Sequence, residues 1–132
     1  MFKSRKKRKN KKILKKIFKE QDKQLSKSNK ILDKRNKSVQ LFNEAHKIEK
    51  LGNLDKALSM YRKNIRLYGD LHFNTDHYKR PAIILEKMGR FQEALDICEE
   101  ALSLPIEHRK TRSNFDREFK PRRNRLIKKA KT

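Results

Sequence analysis

"KLGNLDKALSMYRKNI", residues 50–65, is written a second time as "KMGRFQEALDICEEAL", residues 87–102. Gly52 falls on Gly89, Ala57 on Ala94 and Leu58 on Leu95, each pair 37 positions apart. The register extends outward: Leu41 faces Tyr78, Ala45 faces Ala82, Ile48 faces Leu85, Leu51 faces Met88, Leu54 faces Phe91, Tyr61 faces Cys98 and Ile65 faces Leu102. Apolar positions keep apolar partners while polar ones vary. That is what a structural repeat requires, because each copy must present the same face to its neighbour.

Each copy has an internal grammar. Leu41, Ala45, Ile48 and Leu51 are spaced by four and three, which draws one stripe along a helix. Gly52 then interrupts it, placed for a left-handed C-terminal cap. Leu54, Ala57, Leu58, Tyr61 and Ile65 draw a second stripe. Asp55, and Glu93 in the other copy, stand near the start of that second helix, where a carboxylate meets the positive end of the helix dipole. The spacing predicts two helical hairpins, with alanines at 45, 57, 82 and 94 small enough for the paired helices to approach closely.

Completed by Ala101 and Pro105, this pattern resembles the tetratricopeptide repeat over about residues 38–106, and "MGRFQEALDICEEALSLP" (88–105) is the better match. The spacing of 37 departs from the family's period of about 34, with the extra residues placed in "YGDLHFNTDHYK" (68–79). Pro81 is expected near the first turn of a helix that begins close to Asp76–Lys79. Two repeats bury little surface, so residues 113–132 are expected to add a layer through Phe115, Phe119, Leu126, Ile127 and Ala130. Pro121 there predicts a kink or two short helices. The expected fold class is all-α: two tetratricopeptide-like hairpins, a C-terminal capping helix and a basic N-terminal helix or tail.

The resemblance also implies a concave peptide groove formed by the first helix of each copy. It would present Phe42, His46 and Glu49, flanked by Val39 and Lys50, and Lys79, Ile83 and Glu86, flanked by Asp76 and Lys87. The family's clamp for a C-terminal carboxylate combines Lys, Arg and Asn side chains. Phe42, His46 and Ile83 take central places here, so the expected guest is an apolar or mixed peptide.

Charge divides the chain differently. The net formal charge is +22. Residues 1–38 hold 17 basic and 3 acidic side chains, residues 39–105 hold 10 of each, and residues 106–132 hold 11 and 3. The expected organisation is a basic extension over 1–37, partly disordered or helical, repeats over 38–106, and a basic capping helix and tail over 107–132. Lys3, Arg5, Lys6, Lys7, Arg8, Lys9, Lys11 and Lys12 at one end, and Lys120, Arg122, Arg123, Arg125, Lys128 and Lys129 at the other, are the candidate polyanion contacts, acting through counterion release. Residues 3–12 read as a solvated tail that resembles a nuclear-import signal. From Lys11 to about Ser38 a helix is expected, with Leu14, Phe18, Leu25, Leu32 and Val39 on one face and Ile13, Ile17 and Ile31 widening it. Gln21, Ser28 and Arg35 at the complementary heptad positions argue against a homomeric coiled coil. Three seats for this face stay open: the first repeat, a partner protein, or a membrane surface.

Catalytic chemistry finds no foothold. The single cysteine, Cys98, takes the place of Tyr61 in the repeat and reads as a buried thiol; it allows no intrachain disulfide, so a reducing compartment is expected. With three glycines there is no phosphate-cradling loop. "DLHFNTDH" (70–77) gathers Asp70, His72, Asp76 and His77 without metal-site spacing and reads as a surface loop. His108 reads as part of a linker. No apolar run reaches the ~20 residues of a membrane span, and the start lacks the apolar core of a secretory signal. The expectation is a non-catalytic adaptor without cofactor or metal, cytoplasmic, or nuclear for a eukaryotic or viral source. A protein would sit on the repeats and RNA or DNA on the basic ends. The alternative is a protein–protein module whose tails meet an acidic protein or a membrane surface.

Overall fold

The computed structural model describes the backbone except at Met1, Asp70, His72, Phe73 and Thr132, and the side chains from Asn10 onward with the same exceptions. Five helices follow in order: α1 (Phe2–Lys50), α2 (Leu54–Tyr68), α3 (Thr75–Lys87), α4 (Phe91–Leu102) and α5 (Arg109–Ala130). No strand occurs among the described residues. The protein is all-α, as its apolar spacing predicts. It divides into a first unit of residues 1–34 and a second of residues 35–132.

In the second unit the C-terminal part of α1 and α2 form one hairpin, and α3 with α4 the other. Both turns end in the same way. Gly52 and Gly89 have φ of 89° and 75°. The Gly52 N–H donates to the Glu49 carbonyl at 3.0 Å and the Asn53 N–H to the Ile48 carbonyl at 3.3 Å. Gly89 N–H to Glu86 and Arg90 N–H to Leu85 repeat this at 3.0 and 2.9 Å. These paired bonds satisfy carbonyls that a helix end otherwise leaves open, and they need a left-handed residue, which glycine supplies without Cβ strain. Leu51, counted in the first apolar stripe, is 85 % exposed. It is the last residue before the glycine, where the chain already turns away from the core.

The four repeat alanines, Ala45, Ala57, Ala82 and Ala94, are completely buried, together with Tyr61, Tyr78, Leu85, Cys98 and Ala101. A larger side chain at such a crossing forces the helices apart. Ala94→Leu should therefore cost about 1–3 kcal/mol, seen as a lower melting temperature, whereas Lys56→Leu, on an exposed position, should change it little. Equal shifts would mean that the alanines do not mark the helix contact.

Two prolines behave differently from expectation. α3 begins at Thr75, where the Asn74 side chain accepts from the Asp76 N–H at 3.0 Å. Pro81 consequently lies in the second turn and is buried, not in the first. α5 is one helix rather than two, running through Pro121. The carbonyl that Pro121 deprives of its donor belongs to Arg117; both residues are exposed, so water can serve it. α5 starts at Arg109, with the His108 side chain accepting from the Thr111 N–H, so His108 is a helix cap and not merely linker. It packs against α4 and α3 through Phe115, Phe119 and Leu126, all fully buried; Ile127 packs at the edge of the core and Ala130 is exposed.

Candidate functional site

The groove residues of the first hairpin form a connected cluster. The Phe42 ring stacks on His77, with centroids 4.6 Å apart and planes at 12°, and lies 6.1 Å from His46 and 5.5 Å from Tyr61. His77 was expected in a surface loop. It is instead in the first turn of α3 and buried, because the Asn74 cap starts the helix early enough to turn it inward. Asp76 starts the same helix, while Asp70 and His72 lie outside the described residues. Beneath Phe42, Ser38 Oγ donates to Asn64 Oδ1 at 2.7 Å, and Asn64 Nδ2 donates to the Ser38 carbonyl at 3.2 Å, with His77 Nδ1 3.4 Å away. Buried polar groups are kept only when satisfied, and this set ties α1, α2 and α3 together.

Glu49 is placed deeper than a groove ligand. Its carboxylate is buried, accepts from Tyr61 Oη at 2.8 Å and Arg80 Nε at 3.2 Å, and pairs with the second guanidinium nitrogen of Arg80. Burial alone would raise its pKa; the hydrogen bonds from Arg80 and Tyr61 and the charge of Arg80 outweigh that and hold it below the ordinary 4.5. The same arrangement, with burial first, pushes the Tyr61 phenol upward. Lys79 and Glu86 are likewise engaged within the fold. Lys79 pairs with Glu118 at 3.4 Å, and Glu86 receives Arg122 and Arg125, each at 2.6 Å. Of the six groove candidates, Phe42, His46 and Ile83 are left half-buried without a described ion pair.

The C-terminal cations are partly committed in the same way. Arg122 and Arg125 hold α5 to α3 through Glu86, Arg122 also meets Glu118 at 3.4 Å, Lys120 pairs with Asp116 at 3.6 Å, and the Lys129 ammonium sits 5.3 Å from the Phe91 ring centroid. Arg123 is half-buried on α5, and Lys128 is exposed. The side chains of Lys3, Arg5, Lys6, Lys7, Arg8 and Lys9 lie outside those described, while Lys11 and Lys12 are exposed on α1. Cys98 is fully buried, and burial raises its thiol to about 11, so it carries no thiolate at neutral pH.

One set of cations escapes a search for apolar periodicity. Lys12, Lys16, Lys19, Lys23, Lys27, Lys30 and Lys34 are spaced by three or four along α1. Residues at those intervals share one face of a helix. Every residue from Asn10 to Lys34 is exposed, and among the described residues none of these seven lysines is ion-paired. Counting lysines at helical spacing, rather than only leucines, would have revealed the stripe.

A cleft of about 560 Å³ is lined by Arg62, Ile65, Arg66, Glu93, Asp96 and Glu100, mainly from α2 and α4. It contains none of the groove candidates. One of its carboxylates, Glu93, pairs with Arg62 of the same cleft at 3.2 Å. Hydrogen bonds from Arg90 and Arg62, led by Arg90, bring Glu93 down to about 2.

Set beside known family models, curated proteins and solved structures, the chain matches none of them.

Proposed function

We propose that this chain is a non-catalytic adaptor: the hairpin unit of residues 35–132 holds a protein, and the basic segments hold a nucleic acid. One observation carries the nucleic-acid half. In the hairpin unit Arg80, Arg122 and Arg125 answer carboxylates of the same unit. The lysines from Lys12 to Lys34 are exposed and, among the described residues, unpaired. Cations left to solvent at this density bind polyanions by displacing their counterions.

The protein half rests on the tetratricopeptide-like pattern, which is supported by the two glycine-capped turns and the four buried alanines. In such a reading the half-buried Phe42, His46 and Ile83 form the apolar floor for a peptide, and Glu49 and Glu86 maintain the groove instead of touching its guest. A second reading, contact with an anionic membrane surface, is favoured by the exposed Ile13, Leu14, Ile17 and Phe18.

The deciding measurement is fluorescence anisotropy of labelled RNA and DNA with the full chain, from low to physiological salt. Binding that falls steeply with salt and shows weak sequence preference is the expected outcome, and Phe42→Ala should leave it unchanged. No binding at low salt would remove the nucleic-acid half.

A further inference from the structure

The seven lysines are not a diffuse polycation. At 1.5 Å per residue, the 22 steps from Lys12 to Lys34 extend over about 33 Å, with a cation at each turn of about 5.4 Å. The acidic residues of this segment border the row: Glu20 is four after Lys16 and three before Lys23, and Asp22 and Asp33 are each three after a lysine of the row, yet no lysine of the row is missing or replaced by an acid. The opposite face is not its equal. Ile13, Leu14, Ile17 and Phe18 make an apolar patch of two turns. Beyond it Leu25, then Ile31 and Leu32, carry the face on more thinly, with Gln21, Gln24 and Ser28 set among them. A membrane-surface helix draws its binding from the apolar area it buries; here that face is dense only over residues 13–18 and then thins, whereas a lysine recurs at every turn.

Resting on the nucleic-acid reading above, we infer that this lysine row is a backbone-tracking surface for double-stranded nucleic acid. A duplex presents one negative charge per about 1.7 Å of axis, so a row of about 33 Å matches the phosphates of about one duplex turn. The ammonium groups act as point charges on flexible stems, which suits phosphate oxygens that do not lie on a straight line. The row contains no arginine and none of the amide side chains that pair with base edges, so it positions the duplex without reading its sequence.

The test separates order from amount of charge. One variant carries Lys→Gln at all seven positions, which keeps helix propensity close to the original. A second relocates charge at constant composition: Lys23→Gln with Gln24→Lys, Lys27→Ser with Ser28→Lys, and Lys30→Asn with Asn29→Lys. Each pair moves an ammonium about a quarter turn or more off the row. Far-UV circular dichroism checks helix content, and anisotropy with a 20-base-pair duplex reads binding. With seven phosphate contacts, the slope of log affinity against log salt should flatten by about 6 in the first variant. In the relocated variant it should flatten by about 3.

Wild-type-like binding by the relocated variant would overturn the row while leaving the adaptor reading in place, since net charge alone would then suffice. A single strand bound as tightly as the duplex would overturn the duplex assignment. Binding of the wild-type chain to phosphatidylserine vesicles with none to any nucleic acid would overturn both the row and the reading beneath it.

Discussion

Phe119→Ala lowers the unfolding free energy of the hairpin unit by roughly 3–5 kcal/mol, the usual cost of deleting a fully buried phenyl group. Phe119 is completely buried. Its ring lies 5.6 Å from Phe115 and 6.5 Å from Tyr78, nearly perpendicular to the latter at 82°. Truncation therefore removes both the transfer term and the edge-to-face contact with Tyr78 by which α5 closes over α3. Domains of this size have only about 5–15 kcal/mol to lose, so the urea midpoint should fall by a large fraction. Arg117→Ala, exposed on the same helix, is the control and should move it by less than about 0.5 kcal/mol. If the two variants behave alike, α5 is a peripheral attachment and the core ends at α4.

Glu49→Gln should cost about 2–3 kcal/mol near neutral pH, the scale of hydrogen bonds to a charged group. The carboxylate is 7 % exposed and Arg80 is 29 % exposed, so solvent screens the pair only in part. The pH dependence identifies the cause. Glu49 has a lower pKa folded than its ordinary 4.5, so its contribution is complete above that value and is lost as pH falls through the folded one. The gap between wild type and Glu49→Gln should stay constant from neutral pH down to about 5 and then close. This is read from denaturation midpoints across pH. A gap that persists unchanged to pH 3 would mean that lost packing, rather than lost charge, separates the two proteins.

Glu49 and Glu86, expected from spacing to face a guest, are both engaged within the fold. Helical periodicity places Glu49 and Glu86 on the same faces as Phe42 and Ile83, and it cannot say more. Whether a carboxylate on that face is left for a guest depends on which helix packs beside it. Arg80 reaches Glu49 from 31 residues away, and Arg122 and Arg125 reach Glu86 from 36 and 39. Such partners leave no trace in local spacing. His77 is the converse case: a residue read as loop was drawn into the core because Asn74 caps α3 ahead of it.

What this chain determines by itself is its local geometry. The apolar register at 37 residues, the glycines at 52 and 89 and the alanines at 45, 57, 82 and 94 are sufficient to define two helical hairpins and their contact faces. Each depends only on short-range sterics and on which side of a helix is apolar. The lysine row from Lys12 to Lys34 belongs to the same class, since it follows from spacing once the helix is continuous. Tertiary structure alone decided the rest: the burial of Ser38, Asn64 and His77, the internal pairing of the α5 arginines, and the passage of α5 through Pro121. Pro121 is tolerated because it and Arg117 face water; the other two share one physical reason. Burying a polar group is favourable only when a partner is delivered to it, and delivery is a property of how distant helices pack.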